Sequence, residues 1–94
     1  MPLELLRHRS LMWKADFGND LQEHRVSRGL TQETLSFNAG LSVRYVQRLE
    51  AGEQQPTLET TFKLAYALHT SPTELITSTY VWWVKEGSGD LNED

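Results

Sequence analysis

The sequence predicts an all-α fold in which five helices surround one core, followed by a C-terminal extended or strand-like arm. Apolar residues recur at helical intervals, and residues that favour helix ends separate the resulting segments. With 94 residues and 38% hydrophobic content, the chain can form one small domain with a modest core, which oligomerisation would supplement. We expect an N-terminal extension over residues 1–15, the domain over residues 16–77, and a C-terminal arm and acidic tail over residues 78–94.

The first core helix carries Phe17, Leu21 and His24 at helical spacing, and Gly29 ends it. This helix can begin near Ser10, or a separate short helix can precede it. His24 is expected either to be a satisfied core histidine or to make the protein sensitive to pH.

Residues 31–50 predict two short helices joined by a tight turn. Thr31 and Ser42 can cap the two helices, and Gly40 permits the left-handed backbone that ends the first of them. Apolar residues one turn apart form the buried faces: Leu35, Ala39, Val46 and Leu49. Four side chains of the second helix then point away from the protein: Val43, Arg44, Gln47 and Arg48. Arginine and glutamine at such positions can read the edges of DNA bases.

Two further helices follow in the sequence. Thr57 can cap the fourth, whose predicted apolar face is Leu58, Phe62, Ala65 and Leu68. The fifth begins at a capping box over residues 71–74 and buries Leu75.

Residues 79–84 are β-branched or aromatic, which favours a strand or an extended arm. Neighbouring tryptophans in a strand point to opposite sides, so a chain this small could hardly bury both Trp82 and Trp83. We therefore predict a dimer interface that includes Tyr80, Trp82 and Trp83. In the alternative, these residues cover the core, and the apolar residues of the N-terminal extension cover the same surface within one subunit.

Several classes of protein are disfavoured by composition. No cysteine occurs, no segment resembles a signal peptide, and no apolar run is long enough to span a membrane, so we expect a cytoplasmic protein without a membrane partner. His8, His24 and His69 stand apart, and no catalytic or phosphate-binding motif occurs. We expect no enzyme activity, no cofactor and no metal site. The basic residues 7–9 can be a DNA-binding arm or a solvated charge cluster.

The net charge of −4 argues against DNA binding, because nonspecific affinity comes from basic side chains that neutralise phosphates. Between residues 32 and 56, Arg44 and Arg48 are offset by Glu33, Glu50 and Glu53. Affinity should therefore depend on dimerisation and specific bonds, with a shallow dependence on salt.

Residues 17–76 resemble the lambda-repressor-like helix-turn-helix domain of the Cro/cI repressor family, also called the XRE family. The resemblance rests on three motifs: Arg28-Gly29-Leu30-Thr31-Gln32, the turn glycine Gly40, and Arg48-Leu49-Glu50-Ala51-Gly52 followed by Pro56. In that family the third helix lies in the major groove, and two subunits bind half-sites on successive turns of the duplex.

The resemblance implies roles for individual residues. Val43, Arg44 and Arg48 occupy base-reading positions, and Arg44 would favour guanine. Gln47 is another candidate for reading base edges. In the alternative, Gln47 contacts the DNA backbone, as Tyr45 also could. For four further residues the resemblance implies a contact with DNA phosphate or a role in positioning the helices on DNA: Thr31, Gln32, Ser42 and Tyr45.

The family also implies a buried ion pair between Arg25 and Glu50. The chain departs from the family pattern at His24, where an aliphatic residue is usual, and at Ala51, where an asparagine often contacts phosphate.

These observations predict a homodimeric, sequence-specific DNA-binding transcriptional regulator, most simply a repressor of a palindromic operator. One alternative is an antitoxin that regulates its own operon and binds a toxin. Another is a helix-turn-helix module used for protein–protein interaction, which the acidic balance and residues 80–84 would favour.

Overall fold

The computed structural model describes the backbone of residues 3–91 and the side chains of residues 12–85. Within that part of the chain there are five α-helices and no strand. They are α1 (Leu3–Ser27), α2 (Gln32–Ala39), α3 (Val43–Glu50), α4 (Leu58–Ala67) and α5 (Pro72–Leu91). The predicted all-α, five-helix fold is confirmed.

Helix α1 is continuous from Leu3, so the first core helix begins well before the predicted start near Ser10, and no separate short helix precedes it in the described residues. It packs most extensively against α5, and Ser78 Oγ lies 3.3 Å from Asp16 Oδ2 across this contact. The expected limits of the domain, at residues 16 and 77, therefore fall inside α1 and α5 rather than between helices. The basic residues 7–9, predicted either as a DNA-binding arm or as a solvated charge cluster, have side chains outside the range that the structure describes.

The prediction of an extended or strand-like segment over residues 79–84 is wrong, because α5 continues through it. Helix α5 packs along α1, and this tertiary packing outweighs the weak preference of β-branched residues for strands. Trp82 and Trp83 consequently lie about 100° apart around a helix instead of on opposite faces of a strand. Both are half-buried.

The core lies where α1, α2, α3 and α4 meet the start of α5. Its largest fully buried side chains are Phe17, Leu21, Leu35, Val46, Leu49, Leu64, Leu68 and Leu75. The predicted burial of the apolar faces of the first three helices, and of Leu75, is confirmed.

The predicted apolar face of α4 is partly wrong. Ala65 and Leu68 are buried, but Leu58 and Phe62 are 71% and 50% exposed. Thr60 and Thr61 point inward in their place. Burial of the Thr61 hydroxyl is tolerated because its Oγ1 donates a hydrogen bond to the carbonyl of Thr57 at 2.9 Å.

The predicted helix caps are confirmed. The hydroxyls of Thr31, Ser42, Thr57 and Ser71 each accept a backbone N–H three residues later, at 3.0 to 3.1 Å. Gly40 ends α2 with φ = 69°, a left-handed conformation that glycine adopts without steric cost.

His24 lies half-buried on the side of α1 rather than inside the core. Its Nε2 is 3.5 Å from Asp20 Oδ2, and its Nδ1 is 3.3 Å from Nη1 of Arg28. Burial raises the pKa of the Asp20 carboxyl, and the neighbouring His24 partly opposes that rise. The interpretation of His24 as a core histidine is therefore wrong, whereas pH sensitivity stays a prediction.

Candidate nucleic-acid interface

Helix α3 is held by its inner face. Val46 and Leu49 are fully buried, and Glu50 is 8% exposed. These three side chains fix which side of the short helix faces solvent.

The outer face of α3 carries the predicted base-reading residues. Arg44 and Gln47 are exposed, whereas Val43 and Arg48 are half-buried. Arg44, Gln47 and Arg48 line a shallow depression together with Glu53, which follows the helix. Within residues 12–85, the structure shows no hydrogen bond or ion pair from the side chains of these four polar residues. Their donors and acceptors are available to a ligand.

Arg25 and Glu50 form an ion pair beneath this face. Arg25 Nε donates to Glu50 Oε2 at 2.7 Å, and Arg25 Nη2 donates to Glu50 Oε1 at 3.0 Å. The remaining nitrogen, Nη1, donates to the carbonyl of Leu30 at 2.7 Å. The hydrogen bond with Glu50 raises the pKa of the Arg25 guanidinium above its ordinary value.

Gln32 joins the same cluster. Its Nε2 donates to Glu50 Oε1 at 3.0 Å, which connects the first residue of α2 to the last residue of α3. One carboxylate thus links α1, α2 and α3 and sets the angle at which α3 is presented. The phosphate contacts implied for Thr31, Gln32 and Ser42 stay predictions.

Tyr45 is oriented toward the protein. Its ring packs against the core, and its hydroxyl lies 3.4 Å from both the carbonyl oxygen of Gln55 and Oγ1 of Thr60. These contacts connect α3 to the segment before α4, through Gln55, and to α4 itself, through Thr60. A contact between Tyr45 and DNA stays a prediction.

Two glycines position α3 against α1: Gly18, which the sequence analysis did not single out, and Gly52, which it placed in the motif that ends α3. A Cβ on Gly18 would lie 2.4 Å from the carbonyl oxygen of Leu49 and 2.6 Å from that of Glu50. Gly52, with φ = 75°, would bring a Cβ to 3.0 Å from the Cα of Ala15. A glycine inside the apolar pattern of a helix was the available signal for Gly18.

Comparison with known proteins identifies the family. The sequence profile of the HTH_3 family, described as helix-turn-helix, matches residues 21–75, more than half of the chain. The chain belongs to the HTH_3 helix-turn-helix family. The resemblance to XRE-type domains is thereby confirmed, and proteins of this family are DNA-binding regulators rather than enzymes.

One relative of this HTH_3 protein is an uncharacterized HTH-type transcriptional regulator, y4dJ, from Sinorhizobium fredii. It is 40% identical over 62 residues, which make up 66% of this chain and 80% of the relative.

Solved structures show the same fold. The restriction-modification controller protein C.AhdI from Aeromonas hydrophila has a TM-score of 0.65 and 44% identity, over 66% of this chain and 94% of that one. An HTH_3 family transcriptional regulator from Vibrio cholerae has a TM-score of 0.69 and 29% identity, over 76% of this chain and 40% of that one. The clp gene regulator ClgR from Corynebacterium glutamicum resembles the present chain in fold, with a TM-score of 0.71 and 19% identity over 84% of each chain.

Two further properties concern the described residues alone. No group of three or more histidine, cysteine, aspartate or glutamate side chains in that part of the chain could hold a metal ion. None of its helices is long and apolar enough to cross a membrane.

Proposed function

We propose that this protein is a homodimeric transcriptional repressor that acts in the cytoplasm and binds a palindromic operator through the major groove. The observation that carries the proposal is the outer face of α3, where the side chains of Arg44 and Gln47 are exposed and make no hydrogen bond or ion pair within the described part of the chain. The similarity to C.AhdI, a restriction-modification controller protein, supports a regulatory role.

The chemistry of this face matches the major groove. An arginine can donate two hydrogen bonds to guanine O6 and N7, and a glutamine can bond both N6 and N7 of adenine. The half-buried Val43 offers an apolar contact to a thymine methyl. We assign base reading to Val43, Arg44, Gln47 and Arg48.

Residues at the starts of α2 and α3 would position the protein on the DNA backbone or hold α3 in place. Thr31 and Ser42 cap the N-termini of α2 and α3, where the aligned peptide dipoles and the remaining N–H groups give a partial positive charge that favours a phosphate. Gln32 and Tyr45 act by holding α3 in place, through Glu50 and through the segment before α4 respectively.

An apolar surface supports the homodimer. Tyr80 is 66% exposed, and the half-buried Trp83 lines a cleft of about 480 Å³ between α1, the start of α4 and α5. Leu58 lies at the same cleft and is also exposed. A second copy that covers this surface would remove large apolar side chains from water and place two α3 helices on one duplex. Trp82, the residue before Trp83 on α5, is half-buried and is also assigned to the proposed interface.

Selection of DNA from a random pool, followed by anisotropy titration, tests the proposal. The wild type should enrich a palindrome with guanine in each half-site. The double variant Arg44→Ala and Arg48→Ala should bind that palindrome at least about a hundred-fold more weakly, since each bidentate base contact contributes about 1–3 kcal/mol. Circular dichroism should show an unchanged fold, because both side chains lie on the outer face.

The matched control removes two cations elsewhere. Lys63 and Lys85 are exposed and lie on α4 and α5, so the double alanine variant at these positions changes the net charge equally. It should retain the selected palindrome. Equal losses in both double variants would indicate nonspecific electrostatics, and no enrichment by the wild type would favour the protein-interaction module. A toxin partner has no support beyond the exposed apolar surface.

A further inference from the structure

Among the described residues, Glu53 is the one carboxylate that lines the depression shared by Arg44, Gln47 and Arg48. We infer that Glu53 is a specificity-determining residue, whose charge disfavours phosphate at the two arginines and so directs them to base edges. This inference rests on the proposed function, because it assumes that α3 binds DNA.

The backbone fixes Glu53 beside α3. Its N–H donates to the carbonyl of Arg48 at 2.9 Å, and the N–H of Gly52 donates to the carbonyl of Leu49 at 3.1 Å. The close approach of Gly52 to Ala15 packs this turn against α1. The carboxylate therefore cannot leave the depression through movement of its backbone.

Among the described residues, the depression is lined by two guanidinium groups, one carboxylate and one neutral amide. No hydrogen bond or ion pair joins the side chain of Glu53 to another described residue, so it does not neutralise either arginine through a direct contact. Its effect on a ligand is consequently long-range and depends on the ligand's charge.

Phosphates and base edges respond differently to such a group. A phosphate carries a full negative charge, which the carboxylate repels, whereas guanine O6 and N7 carry only partial charges. The amino group of the paired cytosine is a donor that a carboxylate attracts. Glu53 should therefore weaken nonspecific binding more than it weakens binding to the operator.

The test compares wild type with Glu53→Gln, which keeps the shape and removes the charge. Binding to the selected palindrome and to a scrambled duplex of equal length is measured between about 50 and 200 mM salt. The variant should bind the scrambled duplex about three- to ten-fold more tightly, with a steeper salt slope, while its affinity for the palindrome rises less. The ratio of the two affinities should fall.

The control is Glu59→Gln, which changes the net charge equally at an exposed position on α4 that does not line the depression. If Glu53→Gln behaves like this control, or strengthens binding to both duplexes equally, the inference is overturned. A selective loss of palindrome binding would also overturn it, because Glu53 would then be reading a base directly. A wild type that selects no palindrome would defeat the proposed function itself, and this inference with it.

Discussion

The carboxylate of Glu50 holds together residues that are far apart in the chain. Its side chain is 4% exposed and accepts hydrogen bonds from Arg25 and Gln32. A buried ion pair contributes little compared with an apolar pair of the same shape, but removing one partner leaves the other charge unpaired. Glu50 should thus matter for stability and, through the placement of α3, for DNA binding.

Glu50→Ala should lower the free energy of unfolding by about 3–5 kcal/mol, because Arg25 would lose its partner while most of it stays buried. The melting temperature should fall, and operator affinity should fall with it. Thermal and denaturant unfolding measure the first effect, and anisotropy measures the second.

Glu59→Ala is the matched control, since it removes a carboxylate whose ion pair with Lys63 is solvent-exposed. Its loss should be under about 1 kcal/mol. An unchanged melting temperature in Glu50→Ala would refute the structural role assigned to the buried pair.

At the scale of the elements, the crossing of α1 and α3 depends on the missing side chain of Gly18. Alanine usually stabilises a helix interior by about 1 kcal/mol relative to glycine. Here the added Cβ would clash with two carbonyl oxygens at the end of α3, so we expect Gly18→Ala to destabilise the protein by about 1–3 kcal/mol.

Asn19→Ala provides the comparison for Gly18→Ala. Asn19 is the next residue of α1 and is exposed, so its replacement should be neutral or slightly stabilising in denaturant unfolding. Should Gly18→Ala prove as stable as Asn19→Ala, α1 and α3 would have to lie further apart than described.

Local signals predicted the elements well where a side chain bonds its own backbone. The caps at Thr31, Ser42, Thr57 and Ser71 depend only on residues a few positions away, and the sequence contains that information. The same reasoning placed Arg44 on an outer face, because the buried ridge of α3 follows from helical spacing.

Features that depend on tertiary packing were predicted less well. Residues 79–84 form a helix because α1 lies alongside them, a contact that strand propensity does not contain. Similarly, Phe62 was placed inside by its apolar character, yet the packing of α4 turns Thr61 inward instead. A glycine within a helical pattern marks Gly18 as unusual, but the element that approaches it, the end of α3, is known only from the packed structure.

At the scale of the whole molecule, the apolar surface beside α5 determines the expected oligomeric state. Tyr80→Glu should shift the protein from dimer to monomer, because it places a charge where a second copy would exclude water. Sedimentation velocity measures the change, and circular dichroism checks that the exposed substitution leaves the helices intact.

Val26→Glu is the corresponding control on a different surface. Val26 is 59% exposed and does not line the cleft that contains Tyr80, so this variant should remain dimeric. Dissociation of both variants, or of neither, would remove the reason to place the interface at this surface.

The separation of the two faces of α3 also affects how such a protein can diverge. The inner side chains of Val46 and Leu49 are fully buried in the core, whereas the side chains of Arg44 and Gln47 make no hydrogen bond or ion pair within the described part of the chain. Substitutions at these two outer positions should change stability by no more than about 0.5 kcal/mol. Related proteins could therefore acquire new operators, or an engineer could retarget this one, through outer-face changes that leave the scaffold intact.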